Sequence, residues 1–265
     1  VLSIIIVFFI ISFSFIIFNY IIFYGDFMNK HIDTFHTIIE QSNSIVFFGG
    51  AGVSTESGIP DFRSKDGLYH QTYQYPPEEI LSHHFFVQHT EEFFKFYRNK
   101  MNALDYQPNI THMKLAELEK KGKLQAIVTQ NIDGLHQKAG SKTVYELHGS
   151  ILRNYCTSCG KFYDAKTVFS STSIPYCECG GIIKPDVVLY EEALDDSVIY
   201  SATYAISHCD TLIIAGTSLT VYPASSLIQY FKGNHLILIN RERTPYDHLA
   251  NLIIHENLGN VFQYI

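Results

Sequence analysis

The sequence has no long run of basic residues, and its net charge is negative. Across 265 residues, 26 Asp and Glu outnumber 19 Lys and Arg, which gives a formal net charge of −7. A protein that binds nucleic acid normally presents a cationic face. The charge balance therefore argues against a nucleic-acid-binding protein.

Cysteine is also scarce. The five cysteines are too few and too clustered for the disulfide framework of a secreted protein, so we expect a reducing, intracellular setting. Internal repeats and low-complexity linkers are absent from the sequence. With 46% apolar residues, the chain can form one large domain, or a domain with a smaller companion.

Charge is missing altogether from the first 25 residues. That length can cross a bilayer as a helix, but the basic start and the small-residue cleavage site of a secretory signal are lacking. Two interpretations stay open: a single-pass anchor, or a start-site error with Met28 as the true first residue. We favour the start-site error and leave residues 1–27 out of the fold prediction.

Short apolar segments alternate with helical periodicity along the rest of the chain. Strands are predicted at 44–48, 124–130, 143–148, 186–190, 211–216 and 235–240, and helices at 30–41, 110–122 and 222–233. This alternation predicts an α/β fold, with a parallel sheet covered by helices on both faces. Two insertions, helical residues 64–103 and cysteine-rich residues 151–183, are expected to fold together into a smaller lobe.

The segment GGAGVSTESG, residues 49–58, follows the first predicted strand. Glycine is costly in backbone entropy, so such a cluster indicates a tight turn or a close approach to a ligand. We predict that VSTESG begins a helix. Strand, turn and helix would then form the front of a nucleotide-binding βα unit, with free N–H groups facing a pyrophosphate.

Four cysteines form two short pairs, Cys156 with Cys159 and Cys177 with Cys179. Four thiolates from two knuckles suit tetrahedral zinc, and neither histidine nor carboxylate offers an open position, so the site is interpreted as structural. Unligated thiols or a redox pair are the alternative. A zinc ribbon that binds nucleic acid is the weaker hypothesis, given the acidic charge balance.

Polar residues follow several of the predicted strands, where open α/β sheets place their ligand-binding groups. Gln130, Asn131 and Asp133 suit ribose hydroxyls and a carboxamide, although turn and cap residues have the same composition. His148 suits a general base beside a ribose, or else a buried core histidine. The turn at 216–218 suits a phosphate, and Asn240 suits an outer ribose.

In order along residues 45–240, GAGVSTESGIPDFR, TQNIDGLH, ELHGS, the four cysteines, KPDVVLY, GTSLTVYPA and LIN resemble the sirtuin family of NAD-dependent protein deacylases, and its bacterial members in particular. The resemblance implies a Rossmann-type NAD-binding domain built from residues 28–63, 104–150 and 184–265. A small domain would combine the helical insertion with the module that holds one structural Zn²⁺.

The resemblance also assigns roles to individual residues. Val187 and Val188 would flank the tunnel for the substrate lysine. The cofactor would contact Gly50, Ala51, Gly52, Thr55, Asp61, Phe62, Arg63, Gln130, Asn131, Ile132, Asp133, His148, Gly216, Thr217, Ser218, Asn240 and Leu258.

The implied activity is removal of acetyl from lysine in a protein or peptide, with NAD consumed as a co-substrate and nicotinamide and O-acetyl-ADP-ribose released. His148 would be the general base, and Asn131 would order the ribose and the attacking water. The alternatives are mono-ADP-ribosyl transfer and a catalytically idle module that binds NAD or peptide. We expect a cytoplasmic protein, at a membrane only if residues 1–27 are genuine.

Two features differ from common family patterns. Glu191 and Glu192 stand where many members have Gly-Glu, and the additional carboxylate would favour substrates with basic residues near the lysine. Members that prefer succinyl groups carry Tyr and Arg three residues apart, whereas this chain has Phe94 and Tyr97, with Arg98 one place late. We therefore predict acetyl or another neutral acyl group as the preferred substrate.

Overall fold

The computed structural model describes residues 30–61 and 75–265. Its centre is a six-stranded sheet in the order β3-β2-β1-β7-β8-β9, and every neighbouring pair is parallel. The strands are β1 (Ile45–Gly49), β2 (Leu124–Thr129), β3 (Val144–Glu146), β7 (Thr211–Ala215), β8 (His235–Ile239) and β9 (Leu252–Ile254). The strand order reverses beside β1, which creates the crevice where such sheets bind ligands.

Both faces of this sheet are buried, because helices cover each one. The covering helices are α1 (30–41), α5 (Ile110–Lys120), α6 (Leu135–Ala139), α8 (Asp196–His208) and α9 (Leu258–Phe262). Phe47 of β1 packs into a core with helix residues such as Phe35 and Phe262, whereas Phe48 packs into a second core with Ile206 of α8. The predicted α/β fold class is confirmed.

A second, antiparallel sheet has the order β5-β4-β6, formed by β5 (Phe162–Asp164), β4 (Gly149–Cys156) and β6 (Ile183–Val187). Around it lie α2 (Pro77–Ile80), α3 (His83–Gln88), α4 (Thr90–Lys100) and α7 (Ala165–Phe169). A third apolar cluster joins Phe94 of α4, Val168 of α7 and Ile183 of β6. Among the described residues, no helix has the length and apolar character needed to span a bilayer.

Helix α5 is tied to the glycine-rich turn through its N-cap. The Asn109 side-chain oxygen caps α5, while its Nδ2 donates to the Val53 carbonyl at 2.8 Å. Behind this cap lies the buried imidazole of His112, 4.7 Å from the ring of His136. Burial lowers the pKa of His112 to about 4, and burial together with His112 holds the pKa of His136 well below its usual value. Both rings are therefore neutral at pH 7.

Two local predictions were wrong. The segment 186–190 was expected in the parallel sheet, but its strand is Ile183–Val187 in the antiparallel sheet, where burial alternates because only one face is covered. VSTESG was predicted to begin a helix, but it contains one 3₁₀ turn, Thr55–Ser57, preceded by another at Ala51–Val53. The helix predicted at 222–233 is present as a 3₁₀ helix, Ala224–Tyr230.

Candidate active site

A cavity of about 600 Å³ opens where β1, β2 and β7 end. Its lining includes these residues singled out from the sequence: Ala51, Gly52, Thr55, Asp61, Gln130, Asn131, Ile132, Asp133, His148, Val187, Val188, Gly216, Thr217, Ser218, Asn240 and Leu258. Gly50 is packed against Thr217, since a Cβ on Gly50 would lie 2.8 Å from the Cβ of Thr217. Phe62 and Arg63 lie outside the described residues.

The glycine-rich turn after β1 is pressed against the turn after β7. The amide of Gly52 donates to the carbonyl of Gly216 at 2.8 Å, and Gly216 has a left-handed φ of 60°. A Cβ on Gly52 would lie 2.7 Å from the Cα of Gly216. Glycine is therefore required for the close approach of these two backbones, which brings main-chain groups to the wall of the cavity.

Ser54 links the glycine-rich turn to the loop after β2. Its hydroxyl donates to Oδ2 of Asp133 at 2.6 Å and accepts from Nδ2 of Asn131 at 3.0 Å. Burial raises the pKa of Asp133, opposed by its hydrogen bonds from Ser54 and from the Leu135 amide. The sequence analysis missed Ser54, although a hydroxyl residue inside a glycine-rich turn was an available signal.

His148 follows β3 and is held by its Nδ1 atom, 2.9 Å from the carbonyl oxygen of Gln130. A carbonyl only accepts, so Nδ1 carries the proton and Nε2 is the acceptor of the neutral ring. Burial lowers the pKa of His148, partly opposed by the bond to Gln130. The ring is therefore neutral at pH 7 and able to take up a proton.

Gln130 carries an unpaired group beside this histidine. Its Oε1 accepts from the Thr217 hydroxyl at 3.4 Å, but its buried Nε2 has no hydrogen-bond partner among the described residues. A buried amide without a partner is costly and indicates a ligand acceptor at this position. With two tight backbone turns on one side and amide groups on the other, the cavity fits a polar dinucleotide such as NAD.

At the outer end of the cavity, Asp61 lies 3.7 Å from Arg241, a lining residue that the sequence analysis also missed. Asn240 donates from Nδ2 to the carbonyl of Glu242 at 2.9 Å. Leu258, at the start of α9, is buried. The loop after β8 and the start of α9 thus both contribute to the outer end of the cavity.

On the opposite side, the segment after β6 continues past the catalytic-base candidate. The amide of Val188 donates to the His148 carbonyl at 3.0 Å. Tyr97 of α4 lines the cavity, whereas Arg98 points to the cysteine-rich part of the same lobe, donating to the hydroxyl of Ser171 and the carbonyl of Ser173. The side chains positioned to contact an acyl group in the cavity are therefore Tyr97 and its apolar neighbours.

The four cysteines converge, with all their sulfur atoms within 4.8 Å of one another. Sγ atoms of Cys156 and Cys179 are 3.4 Å apart, and those of Cys159 and Cys177 are 3.6 Å apart. Four Zn–S bonds of about 2.3 Å in a tetrahedron separate the sulfurs by about 3.8 Å. The cluster is therefore positioned to hold one zinc ion with four thiolate ligands, which is typical of a structural site.

A family model, curated proteins and solved structures that are similar to this chain all belong to one family. A sequence model described as the Sir2 family matches residues 50–223. The NAD-dependent protein deacetylase of Clostridium acetobutylicum is 61% identical over 238 residues, which cover 88% of this chain and 97% of that protein. A solved structure of Sir2 with a p53 peptide and NAD⁺ is similar at a TM-score of 0.77 and 37% identity, covering 87% of this chain and 95% of the other. Another, with deacetylated peptide and 3′-O-acetyl-ADP-ribose, has a TM-score of 0.80 at 35% identity, covering 89% and 96%.

Proposed function

Because this chain belongs to the Sir2 family, we propose that it is an NAD-dependent protein lysine deacetylase. It removes acetyl from lysine in protein or peptide substrates and produces nicotinamide and O-acetyl-ADP-ribose. The observation that carries the proposal is the neutral imidazole of His148, fixed by Gln130 in the tautomer that accepts a proton at Nε2.

NAD is held by groups from both sides of the crevice. The two turns that meet at Gly52 and Gly216 would lie beside the diphosphate, and the unpaired Nε2 of Gln130 would donate to a ribose oxygen. Ile132 and Asp133 hold the nicotinamide carboxamide, and Ser54 keeps the Asp133 carboxylate in place. When bound, NAD supplies a ribose carbon that becomes electrophilic because its nicotinamide leaves as a neutral ring.

His148 accepts a proton at Nε2 that reaches it through the ribose hydroxyls. The Gln130 carbonyl accepts the Nδ1–H bond throughout, so the ring keeps its orientation and the charged form is stabilised as it develops. Asn131, held by Ser54 and by the Thr129 hydroxyl, orders the ribose and the attacking water. Base and water-positioning groups thus come from two neighbouring strand ends.

The substrate lysine enters between Val187, Val188 and the lobe of α4. Apolar side chains that line the cavity and share a packing cluster with Tyr97 include Met101 and Leu189. Burying a carboxylate among them without a paired cation would be costly. We propose a preference for acetyl or another neutral acyl group over succinyl.

The division into a larger NAD-binding domain and a smaller lobe, at the boundaries given above, is part of the proposal. So is a cytoplasmic location. Attachment to a membrane would depend on residues 1–27, which lie outside the described residues.

The test is to incubate the chain from residue 28 with an acetyl-lysine peptide and NAD, following nicotinamide release and peptide mass. We expect deacetylation that falls by about 10²- to 10⁴-fold in His148→Ala, the usual contribution of a general base. His208→Ala is the matched control, because that imidazole stacks on Tyr204 on α8 and should not matter.

Nicotinamide release with mass added to a protein would instead establish ADP-ribosyl transfer. NAD binding without turnover would establish an idle module. Either result would contradict the proposal.

A further inference from the structure

The last residue of β6 and the five that follow it, residues 187–192, form one wall of the cavity along their whole length. This segment is attached to the chain just before α3 by a short ladder. The amide of Tyr190 donates to the Leu81 carbonyl, and the amide of His83 donates to the Tyr190 carbonyl, both at 2.9 Å. We call residues 187–192 the wall segment.

Glu191 closes this ladder with its side chain. Its Oε2 accepts from the backbone amide of His84 at 3.0 Å, and its Oε1 lies 2.9 Å from Nδ1 of the same histidine. One residue therefore offers both a main-chain and a side-chain donor to the two oxygens of one carboxylate. This geometry holds the end of the wall segment against the start of α3.

The backbone at Glu191 makes this arrangement unexpected. Its φ is 75°, and Glu191 and Leu219 are the two non-glycine residues with a positive φ in the described part of the chain. A side chain in the left-handed region is disfavoured relative to glycine because its Cβ crowds the following carbonyl oxygen. The strained conformation is retained together with the two bonds to His84, so those bonds offset a backbone cost that glycine would avoid.

We propose that Glu191 is a positioning residue for the substrate peptide: its carboxylate, bonded to His84, fixes the wall segment in the conformation that receives the backbone around the acetyl-lysine. The proposal rests on the proposed deacetylase function, because it assigns the wall segment to peptide binding. It differs from the expectation that Glu191 selects basic substrate residues, since both of its oxygens already bond to His84.

Glu192 holds the other side of the same segment. Its Oε2 accepts from the Leu189 amide at 2.9 Å and from Nζ of Lys184 at 3.0 Å, and its Oε1 lies 2.9 Å from Nδ1 of His83. The wall segment is thus ordered before a peptide arrives. A preordered strand edge loses less conformational freedom on binding, so releasing it should weaken peptide affinity without changing the chemical step.

The experiment compares Glu191→Ala, Glu191→Gly and Glu191→Gln with the unmodified chain. Affinity for a fluorescein-labelled acetyl-lysine peptide is measured by fluorescence anisotropy, and kcat and the KM values for peptide and NAD by initial rates. We expect Glu191→Ala to raise the peptide Kd and KM about fivefold, while kcat and the NAD KM change by less than about twofold.

Glycine and glutamine separate the causes. Glu191→Gly removes the backbone strain together with the two bonds to His84. A loss of peptide affinity in this variant therefore identifies the lost bonds as the cause. Glu191→Gln keeps the shape and one acceptor oxygen, and we expect it to restore part of the affinity. The matched control is Glu117→Ala, which removes an exposed carboxylate paired with Lys114 on α5.

A double-mutant cycle tests the partner. In the His84→Ala background, Glu191→Ala should raise the peptide Kd by less than about twofold. The bond from Glu191 to the His84 side chain is already absent there. An unchanged peptide Kd in both Glu191→Ala and Glu191→Gly would overturn the inference while leaving the deacetylase function intact. Equal increases in the NAD and peptide KM values would also overturn it, as a general structural defect. An unmodified chain that neither binds nor deacetylates the peptide would overturn the proposed function, and the inference with it.

Discussion

Replacing Gly52 with alanine should weaken NAD binding and also destabilise the fold. The new Cβ would lie 2.7 Å from the Cα and 2.9 Å from the carbonyl oxygen of Gly216. Both are backbone atoms, so a rotamer change cannot relieve the contact. Non-bonded carbon atoms pack at about 3.5–4.0 Å, so the two turns must separate by about 1 Å.

The magnitude follows from that displacement. Overpacking of this kind costs about 1–3 kcal/mol, and weakening the bond from the Gly52 amide to Gly216 adds about 1 kcal/mol. Misplacing binding groups by about 1 Å can cost about 10²-fold in rate. We therefore expect the NAD KM to rise at least about tenfold, with a loss in unfolding free energy of about 2 kcal/mol.

The assay measures initial deacetylation rates across NAD concentrations, beside thermal unfolding. Gly122→Ala is the control, because Gly122 has a φ of 76° and a Cβ added there would have no neighbouring atom within 4 Å. It should lower stability by about 1 kcal/mol without changing the NAD KM. An NAD KM for Gly52→Ala within twofold of the unmodified chain would refute the reasoning.

Three further predictions concern the metal, the base and the acyl group. Elemental analysis should find one zinc per chain. Cys159→Ser should lose the metal and lower the unfolding temperature, since metal binding contributes directly to folding. Full zinc retention in this variant would contradict the four-thiolate site. The acid limb of the pH profile of kcat/KM should be centred below pH 6.5, because burial lowers the pKa of His148 and the neutral ring is the active form. Activity should fall as the pH drops through that pKa. A limb centred above pH 6.5 would refute the assignment of His148 as the base. An acetyl-lysine peptide should react at least about 10²-fold faster than its succinyl counterpart in paired assays, because Arg98 is bonded to Ser171 and Ser173, and equal rates would be the contrary result.

The main sheet was predictable because its strands are continuous apolar runs. Residues such as Phe47 and Phe48 are both fully buried, although they point to opposite faces. Helices on both sides are what make such runs stable, so the run itself predicts the layered fold. The short edge strand β9, Leu252–Ile254, was not predicted from the sequence.

The error at 186–190 shows what local pattern leaves open. Val187 and Val188 are apolar, but Lys184 and Asp186 alternate with buried neighbours, which is the pattern of a strand covered on one face. Pairing with β4 then places this strand in the second sheet. Helix α8 had a usable signal, because Ala202 and Ile206 are spaced at one helical turn and are both buried.

The candidate site was predictable where a motif carried it and not where tertiary contacts did. The polar residues after β2 and His148 could be named because they end strands. Ser54 and Arg241 acquire their positions only when distant segments meet, as in the contact between Arg241 and Asp61. Spacing along the chain contains no trace of that contact.

The buried histidine pair behind the nucleotide turn has a consequence for the enzyme in acid. Burial lowers the pKa of His112 to about 4, whereas an imidazole exposed to solvent has a pKa near 6.5. Between these two pH values, His112 binds a proton only in a conformation that exposes its ring, so acid favours that conformation. Asn109, which caps the same helix, also holds the carbonyl of Val53 through its side-chain amide. Acidification therefore loosens the support of the glycine-rich turn from behind, at a point remote from His148.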